Sequence, residues 1–382
     1  MTTSEPLSEW IRTPSRAQPA TYLESVLVRI ASGAAERDAH PAFPEDPLRE
    51  LAASGVLAMT VPGEGGGRRR ASFAEEWSVL RAVARADGSV GRILDGHFNG
   101  VERVSALAPE PLRSHELKAV IAGRRRLGIW GADPVPGEGT PARLVEAEGV
   151  YHLEGVKTFC SGATGLDRAL VAVRAPAEAP PGPPLLAYVD LSERIRIDRG
   201  WFRSSGMRSS ESHRVVFEGT PVLAVLGEPG ELVREPYFGR DAIRTAVTWA
   251  GIADSAVEGA LDILAAKSAS RKPDDIVSLA AGRMLTARST IDRWLEHAAA
   301  FVDADPEAST AHFSVQLREA VAGAARDILD AAARAVGSHP FATASELDRA
   351  RRDLELFLLQ HRLEPALARI GKRAIEEREP RS

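Results

Sequence analysis

The residues of this chain that could do chemistry are nine histidines, one cysteine and dispersed carboxylates, and their spacing excludes several chemistries at once. No His-x-x-x-His or Glu-x-x-His spacing occurs, so a metal enzyme is not indicated. Cys160 stands alone, which removes any intrachain disulfide and any cysteine-based metal site. The Gly-rich runs Gly63 to Gly67 and Pro136 to Gly139 match neither the Walker nor the dinucleotide pattern. What remains is a bend. Tyr151 to Arg174, YHLEGVKTFCSGATGLDRALVAVR, reads as a strand, the turn Ser161-Gly162-Ala163-Thr164-Gly165, and a second strand. A small, Gly-broken, hydroxyl-bearing turn lets backbone N–H groups approach a planar ligand where a Cβ would obstruct them. Phe159, two residues ahead of the turn, could pack on such a ligand. Taken alone, a Ser-Gly turn between strands is usually only a turn.

The elements around that bend fall into three textures. Leu23, Val26, Leu27 and Ile30 recur at helical spacing, Leu48 to Gly55 reads as a short helix, and Val56 to Val61 is an apolar run into Pro62. Ser72 with Glu75 is a capping-box signature ahead of Phe73, Trp77, Leu80 and Ala84, and a further helix is predicted over Ser89 to Leu107. From Leu127, short alternating runs between Pro and Gly signals predict a small antiparallel β domain. Long alanine-rich segments follow, from about Pro236 to Lys267, Ile276 to Val302, Ser309 to Val336 and Leu347 to Arg362, and predict a bundle. The expected organisation is therefore mainly α with a central β domain: an N-terminal helical domain over 1–126, a middle β domain over 127–230 and a C-terminal helical bundle over 231–382.

Composition narrows the setting. A net charge of −5 indicates no general attraction to nucleic acid, and the triplets Arg68-Arg69-Arg70 and Arg124-Arg125-Arg126 read first as solvated faces. No apolar run approaches the roughly 20 residues of a membrane span. The N-terminus shows no apolar signal segment, and a lone cysteine fits a reducing, cytoplasmic setting.

The order helix, β, bundle, with the motifs in it, resembles the acyl-CoA dehydrogenase superfamily over roughly residues 40 to 372. FPEDPLRELAASGVLAMTVPGEGGG and ARADGSVG are similar to its N-terminal domain. GVKTFCSGATGLDRALVAVR stands where the family has a strand entering its flavin site, GMRSSESHRVVFEGTPV resembles its last β-domain segment, and LDRARRDLELFLLQH resembles its C-terminal helix. The implied architecture is an antiparallel, barrel-like middle domain between an N-terminal helical domain and a C-terminal four-helix bundle.

Within that superfamily the dehydrogenases use a glutamate base, often nine positions after the arginine of an Arg-Asp pair. Counting from Arg352-Asp353 arrives at His361. A second location for the base, in the first bundle helix, offers Asp241 nearby. The family's flavin-holding Thr-Glu-Pro appears here as Ala132-Asp133-Pro134, and Ser270 to Asp275 stands in place of Arg-x-x-Phe-Gly. Phe159-Cys160-Ser161-Gly162-Ala163 looks more like the flavin-dependent monooxygenase branch, the desulfurisation and amino-sugar N-oxygenase type. His97 and His361 stand where that branch has histidines.

The resemblance thus implies a flavin-dependent monooxygenase using reduced flavin and O2 on a small organic substrate, with FAD or FMN supplied by a separate reductase. It implies catalytic roles for His97, His361 and Ser161, and cofactor contacts from Phe159, Cys160, Ser161, Gly162, Ala132, Asp133 and Arg352. A homodimer or homotetramer is implied as well. Two other readings remain: a dehydrogenase or desaturase with a displaced base, Asp241, and a non-catalytic flavoprotein scaffold. The physical requirement of the first is a dry pocket with hydrogen-bond donors, where imidazoles can donate or take a proton near neutral pH.

Overall fold

The computed structural model describes residues 21–63, 71–270, 272–360 and 362–378. Gly65 to Gly67, Arg68 to Arg70, Arg271 and His361 lie outside the described residues. Six helices come first: α1 (Tyr22–Ser32), α2 (Ala34–Ala39), α3 (Glu45–Ala53), α4 (Phe73–Ala86), α5 (Gly88–Leu107) and α6 (Leu112–Ile121). The Ser72–Glu75 capping box forms as the sequence predicts. The Asp303 carboxylate adds a second cap, accepting from Phe73 N at 2.7 Å and Ala74 N at 3.0 Å, and so ties the start of α4 to the bundle. Helix α6 escaped the sequence reading because its apolar residues do not gather on one stripe.

The middle domain contains β1 (Leu127–Trp130), β2 (Arg143–Ala147), β3 (Val150–Cys160), β4 (Arg168–Val173), β5 (Leu185–Asp190), β6 (Ile195–Asp198) and β7 (His213–Leu226). The order is β1-β4-β5-β7-β3-β2, with β6 also on β7. Pairing is antiparallel except that β1 lies parallel beside β4. Strand β7 serves two groups of strands. Its residues from His213 to Pro221 pair with β3 and β6, and those from Val222 to Leu226 pair with β5. Strands β3 and β4 are therefore not neighbours in the sheet. The Ser-Gly bend between them is a corner that carries the chain from one strand group to the other.

The bundle consists of α7 (Tyr237–Ser268), α8 (Asp275–Ala304), α9 (Ala311–Val336), the short α10 (His339–Ala342), α11 (Glu346–Phe357) and α12 (Glu364–Glu376). One apolar core runs from α4 and α5 through the β domain into α7, α8, α9 and α11, so the three regions share an interior. Helix α11 ends at Phe357, earlier than the periodicity suggests, and Leu358 to Gln360 form a turn. None of the described helices is long and apolar enough to cross a membrane.

The β domain and the bundle meet at a seam. Asp353, fully buried, accepts a hydrogen bond from Met207 N, and burial pushes its carboxyl up to about 7. Arg352 lies outside the cavity described below. It pairs with Asp38 at 2.6 Å and Asp348 at 2.8 Å and donates to Ser205 O, so it clamps α2, α11 and the loop before β7 together. Between these contacts Gly206 lies flat on α11, where a Cβ would stand 2.1 Å from Arg352 O. That neighbour is backbone and cannot swing aside. Gly206→Ala should therefore destabilise the protein by about 1–3 kcal/mol, the usual cost of overpacking, measured by denaturant titration. Wild-type stability in this variant would show that the seam is loose.

Candidate active site

A cavity of about 660 Å³ lies where α5, the β domain, α7, α9 and the end of α11 converge. That volume is within the roughly 300–1,000 Å³ of small-molecule sites. Helix α5 presents Arg92, Gly96 and Asn99, spaced four and three residues apart, and α7 presents Phe238, Asp241, Ala242 and Thr245, which share one face. The β domain contributes Ile129, Gly131, Ala132, Phe159 and Ser161, and the loop before β7 contributes Phe202, Met207, Ser210 and Ser212. Leu359 and Gln360 close the α11 end, and Arg318 reaches in from α9. A second hollow of about 530 Å³ shares Phe202 with the first, and Arg199, Arg203 and Arg208 help to line it.

The bend behaves in part as its composition suggests. Ser161 lines the cavity, and its Oγ lies 2.9 Å from Ser212 Oγ, which is 2.8 Å from Ser210 Oγ. Three hydroxyls carry three protons, and two are used within the chain. One donor is left for a ligand. Phe159 takes φ +52°, packs edge-on to Trp201 at 4.9 Å and lines the cavity. Ala132 also lines it.

Other residues singled out from the sequence are placed elsewhere. Cys160 is buried in the core among the β strands, and burial pushes its thiol well up. Gly162, at φ +75°, spends its N–H on Ser210 O at 2.7 Å and shapes the corner. Asp133 pairs with Lys157 Nζ at 2.8 Å, which also donates to Gly131 O at 3.1 Å; this pins the loop behind Ala132. His97 faces away from the cavity. Its Nε2 lies 2.9 Å from Leu57 O, and Leu127 N–H donates to Nδ1 at 3.1 Å. The donor Leu127 N–H fixes Nδ1 as the acceptor, so the ring is neutral and both nitrogens join α5 to its neighbours. The sequence shows a histidine at a helix that borders the site but not which face of the helix it occupies. His361 lies outside the described residues; Gln360 before it is on the cavity wall.

The charges on the wall are nearly all compensated. Arg92 pairs with Asp95 at 2.8 Å and lies over the Phe357 ring at 5.6 Å. Asp241 is held by both Nη atoms of Arg103, at 2.9 Å and 2.6 Å. Burial pushes the Asp241 carboxyl up while Arg103 opposes the shift. Asn99 donates to Asp95 at 2.9 Å and accepts from Arg244 at 3.0 Å. Among the described residues no group of histidine, cysteine and carboxylate side chains is placed to hold a metal ion.

The residues fit a planar group. A Cβ at Gly96 would meet nothing within 4 Å, although the glycine is buried mid-helix. A mid-helix glycine costs about 1 kcal/mol relative to alanine, so the open space at this position is kept against local helix preference. The sequence missed Ser210, Ser212, Phe202 and Arg318. The spacing of Phe238, Asp241, Ala242 and Thr245 was the available signal for the α7 face.

Burial pushes the His97 imidazole down to about 4, from an ordinary value of 6.5. The unfolded chain then binds the proton first, so stability falls as pH drops through the window from about 6.5 to 4. Acidification from pH 7 to 5 should cost about 2 kcal/mol through this residue. His97→Gln can keep both hydrogen bonds without titrating, and the variant's stability-against-pH curve should be flatter by that amount. Parallel curves for the two proteins would rule out the buried neutral imidazole.

Comparison with known proteins gives these positions a context. Residues 20–124 match the family model "Acyl-CoA dehydrogenase, N-terminal domain". The dibenzothiophene monooxygenase of Rhodococcus qingshengii is 24% identical over 235 residues, 57% of this chain and 52% of that protein. The probable FMNH2-dependent monooxygenase SfnC of Pseudomonas putida is 27% identical over 229 residues, 59% of this chain and 54% of its own. The chain spans about half the length of these curated relatives. The FMN-bound crystal structure of TdsC from Paenibacillus sp. A11-2 superposes with a TM-score of 0.82 at 20% identity, covering 94% of this chain and 97% of that one. The fold is therefore common to both chains across almost their whole length.

Proposed function

From a chain with an acyl-CoA dehydrogenase N-terminal domain and the three-part fold that goes with it, we propose a flavin-dependent monooxygenase that acts on a small organic substrate. The observation that carries this reading is the state of the cavity's carboxylate. Asp241 is gripped through both oxygens by Arg103, so taking a proton there would break a buried ion pair. No other carboxylate lines the cavity among the described residues. Proton abstraction in the dehydrogenase manner lacks its base, while hydroxyl donors are in place.

We assign the flavin ring to the wall formed by Ala132, Phe159, Ser161 and Ser212. Ser161 and its two linked hydroxyls would hold the polar edge of the ring, and Phe159 and Phe202 would pack on its apolar surface. The cluster of Arg199, Arg203 and Arg208 in the hollow that shares Phe202 offers a phosphate its counter-charge. When bound in its reduced form, the flavin supplies the electrons that activate dioxygen. The apolar side chains from α7 and the end of α11 keep water out, and His361, next along the chain from Gln360, is our candidate for moving a proton at the substrate. FMN is favoured over FAD by its presence in TdsC and in the name of the relative SfnC, and a separate reductase would deliver it. Helix α12 buries none of its side chains within the subunit, and α8 exposes Ile276 and Leu279, consistent with a homodimer or homotetramer.

The reading is tested by anaerobic titration. The protein should bind reduced FMN, and an acyl-CoA thioester should not bleach the oxidised complex; bleaching would return the chain to the dehydrogenases. Ser161→Ala should weaken FMN binding by about 1 kcal/mol, the worth of one hydrogen bond, as read by flavin fluorescence. For His361→Ala the expected change is in coupling: FMN affinity stays at the wild-type level, and hydrogen peroxide released per reduced flavin rises. Unchanged peroxide release would remove His361 from the mechanism.

A further inference from the structure

Among the described residues, Arg318 is the one charge on the cavity wall without a hydrogen-bonding or charged partner. It is 6% exposed, and among the described residues it makes no hydrogen bond or ion pair; its Nε is buried without an acceptor. Its position in α9 deepens the anomaly. Leu317, Val321, Ala322, Ala325 and Ile328 form the buried stripe of that helix, and Arg318 occupies a place in the same stripe. A leucine or methionine there would continue the core. A buried charge without a counter-charge costs several kcal/mol, and burial pulls this guanidinium down to about 10, still protonated at neutral pH. The other charges on the wall are neutralised, Arg92 by Asp95 and Asp241 by Arg103. Among the described residues, the cavity is thus left with one uncompensated positive charge. It is carried by the bundle wall, while the Ser161 hydroxyl chain belongs to the β-domain wall.

We propose that Arg318 anchors the substrate, and that the substrate is a small organic acid whose anionic head pairs with the guanidinium while its apolar body lies against Phe238 and Leu356. The planar fork of an arginine suits a carboxylate or a similar oxyanion through two parallel N–H···O bonds. Apolar surroundings strengthen such a pair and reject a neutral isostere, which leaves the cation unpaired. This deepens the monooxygenase reading and rests on it for turnover, but the anchor itself is open to a binding test that needs no turnover.

The full-length protein, with and without FMN, is titrated calorimetrically with three acid–amide pairs of graded size: butyrate and butyramide, benzoate and benzamide, indole-3-carboxylate and indole-3-carboxamide. At least one acid should bind about tenfold more tightly than its amide. Arg318→Met should erase that preference, and Arg318→Lys should keep part of it. Because Arg318→Met removes an unpaired buried charge, it should also raise the Tm of the ligand-free protein, which separates lost recognition from lost folding. FMN affinity should stay within about twofold, since the arginine is assigned to the substrate. The proposal falls if no acid in the series outbinds its amide, or if the preference survives Arg318→Met. It falls equally if Arg318→Met weakens FMN by the same factor as the acid, because the arginine would then serve the flavin. An acid preference that depends on Arg318 in a protein that does not bind FMN would leave the anchor standing and remove the flavin reading.

Discussion

The interaction on which the rest of the structure depends is the burial of Arg244. This side chain of α7 is inaccessible to solvent, and its guanidinium is shared by two helices of the N-terminal domain. Nε donates to Glu76 of α4 at 2.6 Å, and Nη1 donates to Asn99 at 3.0 Å and Glu102 at 2.8 Å, both of α5. Replacing such a group by well-packed apolar residues is often neutral, but deleting one member strands a buried charge at a cost of about 3–5 kcal/mol. The network therefore adds little net stability while fixing one arrangement of α4, α5 and α7. The cavity lies directly beside it, because Asn99 belongs to both.

The three-part architecture follows from how that helical contact is completed. Arg81 of α4 pairs with Asp254 of α7 at 2.7 Å and Asp292 of α8 at 2.7 Å, extending the same interface along the bundle. The β domain enters at the other side, with β1 against α5 and the loop before β7 against α11. Close approach at the α11 contact and between the helices depends on absent side chains. Gly206 admits the α11 backbone, Gly91 admits Ala84, and Gly251 admits the backbone of α4 at Arg81. Close backbone approach leaves little freedom for the elements to slide, so the residues of the cavity wall hold a fixed spacing although they come from widely separated parts of the chain.

Much of this was legible in the sequence where the signal was local. Helical periodicity located α4, α5, α7, α8 and α9 to within a few residues but ran α11 on to Arg362 and gave no sign of α12; the Ser72–Glu75 box is formed, and the resemblance carried by the ordered motifs matches the fold. Phe159 and Ser161 reach the cavity from the end of β3, and Ala132 from the loop after β1, which Thr158 N–H ties to β3 by donating to Ala132 O at 3.1 Å. What failed was whatever depended on the direction of one side chain. His97 and Asn99 lie two residues apart on the same helix, and a rotation of about 200° between them puts one in the cavity and the other against Leu57. Asp133 and Arg352 are attractive polar candidates in sequence, but each has a nearer partner of opposite charge, which only the tertiary structure reveals. Strand alternation could have removed Cys160, whose neighbour Phe159 is exposed while it is buried.

The placement of Asp241 unites the structural and chemical halves of α7. One face of that helix carries Arg240 and Arg244 into the ion network of the N-terminal domain, and the adjoining face carries Phe238, Ala242 and Thr245 into the cavity. Asp241 stands at the border and touches both. Its partner Arg103 also donates to Leu232 O at 3.1 Å, so the pair joins α5, α7 and the segment after β7. A carboxylate with that many structural obligations is poorly suited to exchange protons during a reaction, because each protonation would loosen the contact that positions it. The hydroxyl chain of Ser161, Ser212 and Ser210 carries no such obligation, since hydroxyls reorient without a change of charge. The same argument makes Arg318 conspicuous: among the described residues it has no hydrogen-bonding or charged partner in the same cavity, as the proposed anchor requires.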